Sequence, residues 1–168
     1  MKIALLNFPF DNNYGGNLQR YALMKVLTDL GHEPCHLYTR FAWRIPGKYP
    51  LLTKVKRVVK MLLGMQTLSL RYEKLLQHDY DMSNGKILPF YDKYVRHTQP
   101  IEVKEDFEQY DDFDAYIVGS DQVWRKSYNG FFPYTTMFLD FVKDGSVKRI
   151  AYGVSFGKKE NELTEDDI

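Results

Sequence analysis

A chain of 168 residues with 44% hydrophobic side chains has the material for one ordinary domain with its own core, which argues against disorder. A net charge of +1 gives no global pull toward nucleic acid or toward an acidic partner. The single cysteine, Cys35, excludes an internal disulfide and the multi-cysteine zinc frameworks and fits a reducing cytoplasm.

The first residues read as a strand, not as a signal sequence, and no run approaches the ~20 apolar residues of a membrane span. Residues 3–6 are a short apolar run and predict the first buried strand. A turn-rich segment follows with Pro9, Asp11, Asn12, Asn13, Gly15 and Gly16. A helix is expected over 17–30, with Leu18, Tyr21, Ala22, Val26 and Leu30 at helical spacing, Gly16 or Asn17 at its cap and Gly31 as its stop. Residues 34–38 form the next strand. Strand, glycine turn, helix, strand is a βαβ unit and implies a parallel sheet.

The middle of the chain reads as a helical, insertion-like segment over 40–100. Arg40, Arg44, Lys48, Lys54, Lys56, Arg57 and Lys60 occur without an acid between 40 and 60, interleaved with Trp43, Tyr49, Leu51, Leu52, Val55, Val58 and Val59. Residues 51–63 predict a basic amphipathic helix. Either it touches an anionic membrane surface or a phosphate-bearing acceptor, or it is a solvated face with snorkelling lysines. Further helices are expected over 69–80 and 84–95, the latter only if Pro89 lies in its first turn. The acidic run 102–114 predicts a surface helix and loop, and it lacks the ligand spacing of a metal site. Residues 115–118 are a strand with apolar side chains on both faces. After Trp124 comes an aromatic loop with Tyr128, Phe131, Phe132, Pro133 and Tyr134, then strand candidates at 137–141 and 147–154. Thr164 followed by Glu165, Asp166 and Asp167 resembles a helix cap and first turn, so a continuation beyond Ile168 is expected.

Open α/β sheets bind ligands outside the carboxyl ends of their strands, and the polar residues gather there. The loop 12–17 enters a helix N-terminus, a place receptive to phosphate or carboxylate. It is neither a dinucleotide fingerprint nor a P-loop. After the 115–118 strand come Gly119, Ser120, Asp121, Gln122 and Trp124. Asp121 is the carboxylate placed where such a protein uses one, to hydrogen-bond a sugar hydroxyl or to accept its proton. Trp124 offers a stacking face. Against this, Ser120 and Asp121 can simply form a turn and Trp124 can fill the core. Ser155 ends the last strand candidate. His32, His36, His78 and His97 have no metal or triad partner at a recognisable spacing and read as structural or solvated; no metal site is expected.

Residues 12–23 (NNYGGNLQRYAL), 114–124 (DAYIVGSDQVW), 138–141 (FLDF) and 149–157 (RIAYGVSFG) together resemble the polysaccharide pyruvyl transferase family in order and spacing. The resemblance covers most of this chain but only the N-terminal half of the family. It implies an α/β fold: a Rossmann-like three-layer domain with a mostly parallel sheet, one half of a GT-B-like pair facing a cleft. It also implies transfer of pyruvate from phosphoenolpyruvate, the donor and not a cofactor, to hydroxyls of a cell-surface polysaccharide. The donor-holding cations and the acid belong to the family's other half, so the C-terminal partner domain is expected to be missing and this chain to be inactive alone. The residues expected to meet a saccharide or lipid-linked glycan are Asn12, Asn13, Tyr14, Gly15, Gln19, Gly119, Ser120, Gln122, Trp124 and Ser155, with Asp121 as the catalytic candidate. The expected setting is cytoplasmic, at the inner face of the membrane through the basic 40–60 stretch, with self-association through an exposed domain face and no nucleic acid. Two other readings stay open: the nucleotide-sugar half of a GT-B-like glycosyltransferase, and a non-catalytic interaction module.

Overall fold

The computed structural model describes residues 1–40, 50–65, 68–128, 132–158 and 164. Trp43, Arg44, Lys48, Tyr49, Phe131 and the acidic end at Glu165, Asp166 and Asp167 lie outside the described residues. In chain order the elements are β1 (Lys2–Leu6), α1 (Tyr14–Asp29), β2 (Glu33–His36), α2 (Pro50–Leu62), α3 (Tyr72–Asn84), α4 (Leu88–Tyr94), β3 (Ala115–Val118) and β4 (Lys148–Ala151). Short 3₁₀ turns occupy Lys104–Gln109, Lys126–Tyr128 and Tyr134–Phe138. The chain divides into two compact units, Met1–Phe41 with Ile87–Ile168, and Ala42–Lys86.

The larger unit is a Rossmann-like α/β domain. Its four-stranded sheet has the order β2-β1-β3-β4, and every pairing is parallel. Ile3 pairs with Pro34 on one side and with Ala115 on the other. In the two central strands successive side chains enter opposite cores, as the pleat requires. Ile3, Leu5, Ala115 and Ile117 pack with Met24, Leu27, Tyr38, Tyr91 and Val95, so α1 and α4 cover that face. Ala4, Leu6, Tyr116 and Val118 pack with Ile101, Phe107, Val123, Met137, Leu139 and Val142, so the 3₁₀ turns and loops cover the other. The connections leaving β1 and β3 therefore lie on opposite faces, and the strand order runs outward in both directions from the β1–β3 pair.

Several expectations change. The helix α1 starts earlier than expected and its cap is Asn13, whose side chain accepts from the Gly16 amide at 3.1 Å; Tyr14 and Gly15 thus belong to the first turn. Gly31, at φ +82, follows its end as expected. The buried face of α1 is Asn17, Arg20, Met24 and Leu27, whereas Leu18, Val26 and Leu30 are exposed. The reason is that Asn17 and Arg20 are tied to the β1 loop, which rotates the helix away from its apolar spacing. Residues 137–141 are not a strand: a 3₁₀ turn, closed by Leu139 at φ +60, carries Met137 and Leu139 into the core. Pro89 does lie in the first turn of α4. Lys148–Ala151 is exposed along its whole length. Cys35 is buried, and burial pushes its thiol up, which keeps it protonated.

The smaller unit contains α2 and α3. Arg57 and Glu73 form a bidentate pair at 2.6 and 2.9 Å, with both side chains largely covered. The hydrogen bond from Arg57 holds the Glu73 carboxyl below its usual range. Among the described residues no helix is long and apolar enough to cross a membrane.

Candidate functional site

At the carboxyl edge of the sheet, β1 runs into Asn7, β3 into Gly119 and β4 into Tyr152. Because the strand order turns at the β1–β3 pair, the loops after these strands diverge and leave a crevice between them. A cavity of about 280 Å³ occupies it. Its lining comes from the β1 loop (Asn7, Phe8, Pro9, Asp11), the start of α1 (Asn13, Asn17, Gln19, Arg20) and the β3 loop (Ser120, Asp121), with Tyr128 at the side.

The walls are fixed by hydrogen bonds. Asp11 accepts from the Asn13 amide at 2.9 Å, and its carbonyl accepts from the Asn17 side chain at 2.8 Å. Arg20, buried, donates to the Asn17 side chain and, at 2.9 Å, to the Phe8 carbonyl. Its guanidinium also lies 5.7 Å from the centre of the Tyr91 ring. Beneath it the Tyr91 hydroxyl meets Nδ1 of His36. Burial, then the Arg20 and His97 charges, hold the His36 imidazole well below its ordinary 6.5, so it is neutral.

Ser120 donates to Gln19 at 3.2 Å, which joins the β3 loop to α1. The β3 and β4 loops are zipped together: Asp121 N–H to the Gly153 carbonyl at 3.0 Å, Ser155 N–H to the Asp121 carbonyl at 2.9 Å, and Trp124 N–H to the Ser155 carbonyl at 3.3 Å. Gly119 sits at φ +120 where a Cβ would fall on the Tyr152 carbonyl oxygen, so no side chain fits there. Asp121 itself has φ +75, a left-handed backbone that aspartate tolerates better than most residues. Asp121 is exposed and lines the cavity.

Of the residues expected from the sequence, Asn13, Gln19, Ser120 and Asp121 line this cavity. Gln122 and Ser155 do not line it: the Gln122 side chain lies against Gly157, and Ser155 is joined to Asp121 through the backbone. Asn12, Tyr14, Gly15 and Gly119 do not line it either: the first three are exposed at the start of α1, and Gly119 is buried. Trp124 is turned the other way. Its indole N–H donates to the Met137 carbonyl at 2.9 Å and its ring stacks on Phe138.

The model of the polysaccharide pyruvyl transferase family matches residues 13–168. The chain belongs to that family. No curated protein and no solved structure matches it. Within this family member, sequence reasoning misses Asn7, Phe8, Pro9, Asp11, Arg20 and Tyr128 as cavity residues, while Asn17 closes the 12–17 loop already expected to meet a ligand. Two signals were available. Asn7 follows β1 as Gly119 follows β3, and Asn17 and Arg20 are one helical turn apart on the face that looks at the sheet edge. Asn7 is the sharpest of them. It is 7% exposed, its side-chain N–H donates to the Gly119 carbonyl, and its Oδ1 has no partner. A buried acceptor without a donor is unfavourable unless a ligand or water supplies one. Among the described residues no group of three or more His, Cys, Asp or Glu gathers to hold a metal ion.

Proposed function

We propose that this chain supplies the acceptor-binding wall of a pyruvyl transferase, which moves pyruvate from phosphoenolpyruvate onto sugar hydroxyls of a cell-surface polysaccharide. Two hydroxyls of the sugar add to the enol carbon, that carbon's methylene partner gains a proton, and phosphate leaves. The observation that carries the reading is the unpartnered Asn7 Oδ1 in a cavity whose other polar groups are the amides of Asn13, Asn17 and Gln19, the hydroxyls of Ser120 and Tyr128, the carboxylates of Asp11 and Asp121, and the Arg20 guanidinium. Such a set exchanges hydrogen bonds with a polyol, since hydroxyls donate to Asn7, Asp11 and Asp121 and accept from Asn13, Asn17 and Gln19.

In this reading Asp121 accepts a hydrogen bond from the hydroxyl that attacks and orients it. Arg20 is engaged with Asn17 and Phe8, so it sets the cavity's shape and potential and does not clamp the departing phosphate. That clamp, and the acid that protonates the methylene carbon, come from a facing lobe, since the charge that develops on the departing phosphate needs cations this cavity does not offer. The reaction takes place in the cytoplasm.

Thermal-shift titration of the 168-residue chain tests it, since stabilisation grows with ligand concentration over Kd. Methyl glycosides of glucose, galactose and mannose are compared with phosphoenolpyruvate and a nucleoside-diphosphate sugar. The expected result is a saturable rise with at least one glycoside, lost in Asp121→Asn, and no phosphate release from phosphoenolpyruvate. A response to phosphoenolpyruvate alone, or turnover by this chain, overturns the division of labour. A response only to the nucleotide sugar favours a glycosyltransferase-like half.

A further inference from the structure

The smaller unit holds a surface that the cavity does not use. In α2 the side chains of Leu51, Leu52, Val55, Val59, Leu62 and Leu63 are all exposed, Leu51 at 74% and Leu62 at 80%. At 100° per residue they fall within an arc of roughly 120°. Lys56 and Lys60 border that arc on one side and Lys54 on the other, and all three are exposed. Arg57 points away from it and is fixed to Glu73 and, at 3.3 Å, to the Ser69 carbonyl. The smaller unit thus grips α2 by its polar side and turns the apolar side to solvent, the reverse of a helix placed to build a core.

We infer that the exposed face of α2 docks the protein on an anionic lipid surface. The helix has the required composition: a broad apolar stripe, flanking lysines, and too little overall hydrophobicity to span the bilayer. Charge selects among the occupants. No Asp or Glu occurs between residues 41 and 72, so every charged side chain of α2 is a cation. A second copy of the same face would set lysines against lysines, whereas an anionic headgroup layer meets Lys54, Lys56 and Lys60 with opposite charge while the leucines and valines enter the acyl boundary. The inference goes beyond the acceptor-binding reading and does not depend on it.

Vesicle flotation of the 168-residue chain tests this directly. Phosphatidylcholine vesicles are compared with vesicles that also contain phosphatidylserine, at low and high salt, and with free phosphoserine as competitor. Binding is expected to the anionic vesicles only, to weaken with salt, and to survive phosphoserine. Val55→Asp with Val59→Asp should reduce it at least tenfold, and each of Lys54→Glu, Lys56→Glu and Lys60→Glu about fivefold. These side chains are exposed, so circular dichroism should stay unchanged, and saccharide stabilisation should persist. Equal binding to neutral vesicles, displacement by phosphoserine, or no binding overturns the inference. So does a concentration-dependent dimer that Val59→Asp abolishes, since that gives the face to a second copy.

Discussion

Two helices of this protein, α1 and α2, both turn apolar residues outward, and for different reasons. In α1 the buried side includes Asn17 and Arg20, whose bonds to the β1 loop hold the wall of the cavity at the sheet edge. Leu18, Val26 and Leu30 are exposed because that polar anchor sets the rotation of the helix. In α2 the buried Arg57 meets the Glu73 carboxylate within the smaller unit; the face left outside is broader and flanked by cations. An apolar stripe therefore does not say which side of a helix is covered. The buried polar groups say it, because they must be paired wherever the chain puts them.

The comparison breaks first at Arg20. Arg20→Ala removes the donors to Asn17 and Phe8 from a buried setting and should lower unfolding stability by about 3 kcal/mol or more in denaturant titration, with loss of any glycoside response. A loss below about 1 kcal/mol would mean that α1 is oriented by its apolar contacts after all. Gly119→Ala comes next, at about 2 kcal/mol, because the new Cβ meets the Tyr152 carbonyl and the backbone lies at φ +120. It should open the zip between the β3 and β4 loops, seen as faster amide exchange at Asp121 and Ser155.

A smaller effect depends on pH. Folding holds His36 neutral below its ordinary value, while the unfolded chain protonates near pH 6.5. Its contribution is therefore complete above about pH 6.5 and is lost as the pH falls, with a slope of at most about 1.4 kcal/mol per pH unit. His36→Gln should flatten that part of the profile; an unchanged slope would place a proton on His36 in the fold. Smallest of all, Val26→Ser on the exposed side of α1 should change stability by less than about 0.5 kcal/mol.

Much of the sheet was legible because a parallel strand with both faces buried must be apolar throughout, as residues 3–6 and 115–118 are. The crossover helix was legible from its spacing and from Gly31. Its orientation was not, since two polar residues decide it through partners far away in sequence. Residues 137–141 read as a strand for the same apolar reason, yet they belong to a connection that covers one face of the sheet. Composition reports burial there and not the backbone that achieves it. At the site, Asn13, Gln19, Ser120 and Asp121 were within reach of the rule that ligands gather at strand ends. Asn7 and Arg20 were not, because their meaning lies in a missing partner and in a long-range bond.

Side-chain amide chemical shifts test the central claim, that the crevice between the β1 and β3 loops receives a sugar. With ¹⁵N-labelled protein, a methyl glycoside that stabilises the chain should give saturable shifts at the side-chain amides of Asn7, Asn17 and Gln19 and at the Asp121 N–H, with Asn7→Leu weakening them at least tenfold. Shifts confined to residues outside this crevice, or full affinity in Asn7→Leu, would contradict it.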